Sequence, residues 1–367
     1  MKQGDVFFYV LFISQASFPV LGYVYDMTSI LNSLIAILPF ILLVPSVSTG
    51  DFFSPTDRTV TNRYRGVFAL IVILHHMAQR VTSKGLLWIW FDTGFLPVAM
   101  FFFYSGYGLM KKGIRQKEGF FQRRLIPLLI PYLVTMGLYW IFYALAGQVK
   151  SLPSLLLEHF NNASGISFLW FVFVYLAWIL FLGIALRFIK EDRQILTAGF
   201  SFAAFFMAFS ILAIPGFFWI YDTVFMIPAG CAWAYYEESI ETWIHHHYKK
   251  VLISSVLVFA VSMAGHMIPI LRVPSYMLSA VSFLFFLNTY TMKRKPKGIV
   301  LQYLGTISYE IYLLHGIPVT FLKEAMGNEA LWTLSVVVIA VISAYLMHVI
   351  AEKTWKPAKR KRIDQSA

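Results

Sequence analysis

Long apolar stretches separated by short polar breaks run the length of the chain, without the strict two-residue alternation of half-buried strands. Taken as helices of ~17–25 residues, these stretches number about twelve, centred near residues 15, 38, 72, 98, 136, 177, 203, 226, 260, 282, 310 and 341. Lipid offers a backbone no hydrogen-bond partner, so a spanning chain forms helices or a closed barrel, and barrel strands would alternate over roughly ten residues. The pattern predicts an all-α, polytopic transmembrane helical bundle. The longest breaks, 48–62, 147–164 and 236–249, are too short for a soluble domain, and no internal repeat is visible. The first stretch, MKQGDVFFYVLFISQASFPVLGY, has the basic start and apolar core of a signal peptide. Its apolar run continues past the small residues, which favours an uncleaved span. Pro97, Pro127, Pro131, Pro228 and Pro269 lie in or beside spans, where proline frees backbone carbonyls and kinks a helix as structure or to shape a cavity.

Composition agrees with this pattern. The 367 residues are 59% hydrophobic and 13% charged, with a mean hydropathy of +0.68. The net charge of +12 raises the question of nucleic acid, which the placement of the charges answers. All but five of the 30 Lys and Arg (Arg80, Lys84, Lys150, Arg272 and Lys323) fall in alternate breaks on one side. Such asymmetry marks the cytoplasmic face, so both termini are expected in the cytoplasm and no nucleic-acid partner is needed. The single cysteine, Cys231, excludes an intrachain disulfide and reads as a small packing residue.

The stretch RGVFALIVILHHMAQR, residues 65–80, carries the candidate chemistry. Eleven residues at 100° each return almost to the starting face, so Arg65 and His76 share one face about 16 Å apart along the axis. They can then line one cavity, with His75 some 100° away. Ionisable groups at membrane depth usually face a polar interior. The bland alternative is an anchoring arginine and a histidine bonding between helices.

The arginine, ten intervening residues and histidine resemble the signature of the acyltransferase 3 family of membrane acyltransferases. The resemblance continues, in order, through PVAMFFFYSGYGLM (97–110), FFQRRLIPLLIPYL (120–133), FLWFVFVYL (168–176), ISYEIYLLHG (307–316) and HVIAEKTWKP (348–357). It implies a ten-span core over residues 58–358, preceded by two additional N-terminal spans in 1–50 and followed by a basic cytoplasmic tail, 359–367. The extra spans depart from the family, and so does the basic loop, where Phe121 precedes adjacent Arg123 and Arg124 instead of two arginines three apart.

The resemblance implies transfer of an acyl group, usually acetyl, from cytoplasmic acyl-coenzyme A to a hydroxyl or amine of an envelope carbohydrate, peptidoglycan or lipid-linked acceptor. The plasma membrane is the expected location. Acetyl-coenzyme A is then a donor substrate, and no permanently bound cofactor or metal is expected. Arginine forks suit phosphate oxygens, which makes Arg65, Arg124 and Arg123 candidates for binding the donor, with Lys111 and Ser105 as further candidates; Lys112, Arg115 and Lys117 read as topology signals or as further phosphate contacts. A neutral imidazole can take a proton from a hydroxyl, so His76 is the expected general base, with Arg65, His315, Glu310 and Tyr309 as further catalytic candidates. Glu310, within an apolar span, is expected either to pair with a cation or to be protonated. Ser105, Gly106 and Gly108 also read as a small-residue packing face. Trp170 reads as a wall of the acceptor site or as an interfacial belt residue, Tyr312 as an acceptor contact, and Asp222 as an acceptor contact or a surface-exposed cap. His245 to His247 sit beside Glu237, Glu238 and Glu241, but adjacent histidines in a short break do not make a metal site. Alternatives in other classes are a transporter built on the same polar residues, a non-catalytic sensor or scaffold, and an enzyme whose two substrates are both cytosolic. The acceptor and the oligomeric state are not encoded in any visible motif.

Overall fold

The computed structural model describes residues 27–43, 47–49, 52–111, 120–160 and 165–354. The expected first span, the tail, Lys112, Arg115 and Lys117 lie outside the described residues. Helices α1 (Met27–Ala36) and α2 (Leu38–Leu43) form a pair broken at Ile37. Pro39 causes the break, because it lacks the N–H that a continuous helix would donate four residues back. Strand β1 (Val47–Thr49) follows, and then the long α3 (Arg58–Ala78). Asp57 caps α3 by accepting from the backbone of Thr59 and Val60 at 2.8 and 3.3 Å. The Thr59 hydroxyl also bonds this carboxylate and helps hold it below the ordinary aspartate range.

Next come α4 (Phe95–Lys111), α5 (Phe120–Leu145), α6 (Leu152–Leu157), α7 (Trp170–Phe188), α8 (Asp192–Ala213), α9 (Met226–Tyr235), α10 (Glu237–His246), α11 (Tyr248–Gly265) and α12 (Arg272–Lys293). Strand β2 (Arg294–Pro296) pairs antiparallel with β1, Val47 opposite Pro296 and Thr49 opposite Arg294. The chain closes with α13 (Ile299–Thr306), α14 (Ser308–Leu314), α15 (Gly316–Met326) and α16 (Glu329–Thr354).

Among the described residues, six helices are long and apolar enough to cross a membrane: α5, α7 with its preceding turn, α8, α11, α12 with its preceding turn, and α16. The protein is a multi-pass, all-α membrane protein. The other expected spans differ for local reasons. The stretch near 310 is three short helices, with breaks at Ile307 and His315, and the stretch near 226 is a ten-residue helix entered through a turn at Phe218–Ile220. Helix α3 is long enough, but its arginines and histidines make it too polar to face lipid. It sits instead inside the bundle, every residue from Gly66 to Leu74 being buried.

Two helix pairs touch backbone to backbone. A Cβ placed on Gly305 of α13 would lie 1.8 Å from the Asn62 carbonyl oxygen of α3, and one on Gly106 of α4 would lie 2.0 Å from that of Ile227 of α9. Asn62 adds a side-chain bond to the Gln302 carbonyl at 2.8 Å. Gly106 thus serves the close packing expected of it, but Gly108 does not, since nothing lies within 4 Å of its would-be Cβ. Pro127 and Pro131 lie inside the unbroken α5. Cys231 is buried, its thiol 3.3 Å from the Gly106 carbonyl.

Candidate active site

Among the described residues, two of the cavities in the bundle share a wall. The first, about 360 Å³, is lined by Arg65 of α3, Ser105 of α4, Arg123, Arg124, Pro127 and Leu128 of α5, and Tyr309 of α14. The second, about 270 Å³, is lined by His75, His76 and Gln79 at the other end of α3, by Asp92, Trp170 and Asp222, and by the rings of Phe168, Phe218, Trp219 and Tyr276. Tyr312 lines both.

Arg65 and His76 therefore do not line one cavity, although they share a helix face. Tyr312 comes between them. Its hydroxyl donates to the Phe168 carbonyl and accepts from the Phe171 N–H at 3.3 Å, which fixes the phenol across the space that the two residues would otherwise share.

In the basic cavity, the guanidinium carbon of Arg65 lies 5.9 Å from the ring centre of Tyr104. Three arginines converge there, and a guanidinium offers two parallel donors to an anionic oxygen pair. The Ser105 hydroxyl, also in the lining, donates to the Phe101 carbonyl at 2.7 Å. Lys111 does not line this cavity. It pairs with Glu237, which also accepts from the hydroxyls of Thr56 and Tyr107, each at 2.6 Å. Burial pushes the Glu237 carboxyl upward, but these partners outweigh it and hold the group below the ordinary glutamate value.

In the histidine cavity, the His76 ring lies on Phe168, centroids 3.7 Å apart, with His315 nearly parallel at 5.2 Å. His315 is fully buried and lines neither cavity; its Nδ1 donates into its own helix, to the Tyr312 carbonyl at 2.7 Å. Trp170 is a wall of this cavity. Asp222 is only 1% exposed, so it is not a surface cap, and neither of its carboxylate oxygens meets a donor. Buried carboxylates are ordinarily satisfied, and this one borders open space.

Along α14 the expected residues separate by face. Tyr309 lines the basic cavity, its hydroxyl donating to the Leu128 carbonyl at 2.7 Å. Tyr312 forms the shared wall, and His315 reaches the neighbourhood of His76. Glu310 lines neither cavity. It accepts from His348 of α16 at 2.8 Å, so the partner expected for it is an imidazole from the last helix.

Sequence reasoning passed over Gln79, Asp92, Phe168 and Tyr276. They sit in loops and helix ends, without the spacing that marks a helix face, and only folding brings them together. The three adjacent histidines are engaged separately: His246 and His247 bond to the Thr242 and Trp243 carbonyls of α10, and His245 stands edge-on to Phe52. Among the described residues no group of three or more His, Cys, Asp or Glu could hold a metal ion.

The family model described as an acyltransferase domain, acyltransferase 3, matches residues 62–351. The chain belongs to the acyltransferase 3 family. The match spans most of the chain and includes every residue that lines the two cavities. It makes the protein a membrane acyltransferase, and the helices that precede residue 62 lie outside the family domain. No curated protein and no solved structure matches the chain.

Proposed function

We propose that this acyltransferase moves an acyl group, acetyl in the first instance, from cytoplasmic acyl-coenzyme A to a hydroxyl or amine of a carbohydrate or lipid-linked acceptor of the cell envelope. The observation that carries the reading is the pair of cavities meeting at Tyr312, one lined by Arg65, Arg123 and Arg124 and the other by His76, Asp222 and Trp170. Basic residues cluster in the breaks on the Arg65 side, which favours that side, and both termini, as cytoplasmic.

The arginine cavity receives the phosphates of the donor, and the pantetheine arm carries the thioester toward Tyr312. The acceptor enters from the other end, its ring against Trp170 and its hydroxyls donating to Asp222. His76 takes the proton of the attacking hydroxyl as that oxygen bonds to the thioester carbon. The tetrahedral adduct then collapses, the carbon–sulfur bond breaks, and the imidazolium returns the proton to the departing thiolate, leaving acylated acceptor and free coenzyme A. A positioned base supplies about 10²–10⁴-fold in such a step.

The decisive experiment follows label from acetyl-coenzyme A with purified protein in liposomes, with envelope glycans supplied as acceptor. Turnover by the wild type that falls at least about a hundredfold in His76→Ala, with donor binding retained, supports the reading. Donor that neither binds nor turns over would point to a transporter or to a different donor.

A further inference from the structure

His76 Nδ1 lies 3.3 Å from the side-chain oxygen of Gln79, whose nitrogen lies 3.1 Å from His75 Nε2, and His75 Nδ1 lies 2.8 Å from the Trp90 carbonyl. For neutral imidazoles one proton arrangement satisfies all three contacts. A carbonyl only accepts, so His75 Nδ1 carries hydrogen and its Nε2 is a lone pair. That lone pair requires the nitrogen of Gln79, which turns the Gln79 oxygen toward His76. His76 Nδ1 must then carry hydrogen, which leaves the lone pair on Nε2. The opposite amide orientation would set the Gln79 oxygen against the His75 lone pair.

The relay does not end at Trp90. The Trp90 indole N–H donates to the Ala36 carbonyl at 2.9 Å, and its ring stacks on Phe40 with centroids 5.5 Å apart. Asn32 donates to the Ser83 carbonyl at 2.6 Å, and Ser33 accepts from the Leu86 N–H at 2.9 Å. Helices α1 and α2, outside the family domain, thus clamp residues 83–90 and with them the carbonyl that orients His75. Gly94 completes the seat: a Cβ there would lie 2.2 Å from the His75 ring.

We propose that Gln79 and His75 are positioning residues that hold His76 in the tautomer with its lone pair on Nε2, and that residues 27–43 fix the far end of this relay through Trp90. The proposal rests on His76 as general base and gives the additional N-terminal segment a task in the reaction. When His76 takes a proton, Gln79 goes on accepting from Nδ1, a role often filled by a carboxylate. A neutral amide does the same without placing a third carboxyl group in the cavity that Asp92 and Asp222 line.

Nitrogen-15 spectra of histidine-labelled protein in liposomes, assigned with His75→Gln and His76→Gln, report which ring nitrogen bears hydrogen without any substrate. The expected result is Nδ1–H at both histidines in the wild type and a mixed tautomer at His76 in Gln79→Leu. With labelled acetyl-coenzyme A and acceptor, Gln79→Leu should lower kcat by about tenfold to a hundredfold and leave KM for the donor unchanged. Gln79→Glu still accepts from Nδ1 but sets its second oxygen against the His75 lone pair, so it should recover only part of the loss, and Trp90→Phe should show a smaller loss of the same kind. Nε2–H at His76 in the wild type, or wild-type kcat in Gln79→Leu, would overturn the relay. If the spectra are as expected but His76→Ala still turns over, the relay stands and the general-base reading falls.

Discussion

Tyr312 donates its hydroxyl hydrogen to the Phe168 carbonyl, and the ring of Phe168 in turn carries His76 at 3.7 Å. One phenol therefore closes the wall between the cavities and sets the surface on which the candidate base rests. Tyr312→Phe keeps the ring but leaves a buried carbonyl unpaired, which costs about 1–3 kcal/mol. We expect a fall in melting temperature together with at least a tenfold loss of transfer (about 1.4 kcal/mol), while donor binding is preserved. Thermal unfolding in detergent and single-turnover transfer measure the two effects separately.

Arg65 and Arg124 reach the basic cavity from different helices. If that cavity holds the donor's phosphates, Arg65→Ala and Arg124→Ala should each weaken acetyl-coenzyme A binding by about 1.5–3 kcal/mol, the range of a hydrogen bond to a charged group. Arg65→Lys should recover only part of it, because an ammonium cannot form the forked pair. Binding to dephospho-coenzyme A, measured alongside, should be less sensitive to whichever arginine faces the missing phosphate.

Asp222 and Asp92 line the histidine cavity, while Arg80 and Arg272 stand behind two of its lining rings, 5.9 Å from Phe168 and 5.2 Å from Phe218. Because the carboxyl groups and not the arginines line the space, acceptors with hydroxyl or ammonium donors should bind more tightly than uronic acids or phosphorylated sugars. Asp222→Asn should weaken binding of the preferred acceptor about tenfold (about 1.4 kcal/mol) and narrow its advantage over an anionic analogue. Equal binding of both analogues by the wild type would remove Asp222 from acceptor recognition.

Glu237 links α10 to α4 through Lys111 and Tyr107, and to the segment before α3 through Thr56. Its folded-state pKa lies below the unfolded one, so its contribution to stability is present above the unfolded value, near 4.5, and is lost as pH falls through the folded value. Glu237→Gln should unfold at lower temperature than the wild type at pH 7. The two curves should converge in acid, and a difference independent of pH would contradict this account.

Gly305→Ala tests the seam between α13 and α3. The added methyl would meet the Asn62 carbonyl at 1.8 Å, and the backbone on both sides leaves little room to move. Overpacking of this kind costs about 1–3 kcal/mol or more. We expect poor yield of folded protein, whereas Gly108→Ala, in open space, should behave as wild type in fluorescence-detected size exclusion.

Much of the bundle was legible because lipid imposes its rules locally: long apolar helices such as α7 and α16 announce themselves by length and composition. Helix α3 was legible for a different reason, since an eleven-residue interval returns to the same face whatever surrounds it. That interval could not reveal Tyr312, which arrives from 236 positions later in the chain and divides the space between Arg65 and His76. The histidine cavity was legible in His76, Trp170 and Asp222 but not in Gln79 or Asp92. Their roles depend on how residues 79–94 fold back at the end of α3, where helical periodicity no longer applies. His75 lies some 100° from His76 around α3, and the same fold-back brings it to the cavity. Glu310 shows the converse: an apolar surrounding signals that an acidic residue needs a partner, but not that the partner is His348.

The shared wall at Tyr312 has an electrical consequence as well. A membrane that stores energy as an ion gradient cannot tolerate a water-filled path through its enzymes. The Tyr312 phenol keeps the space beside Arg65 apart from the space beside His76, so the two do not form one water-filled path. Leakage of protons through liposomes that carry Tyr312→Ala would show how much of that separation one side chain provides.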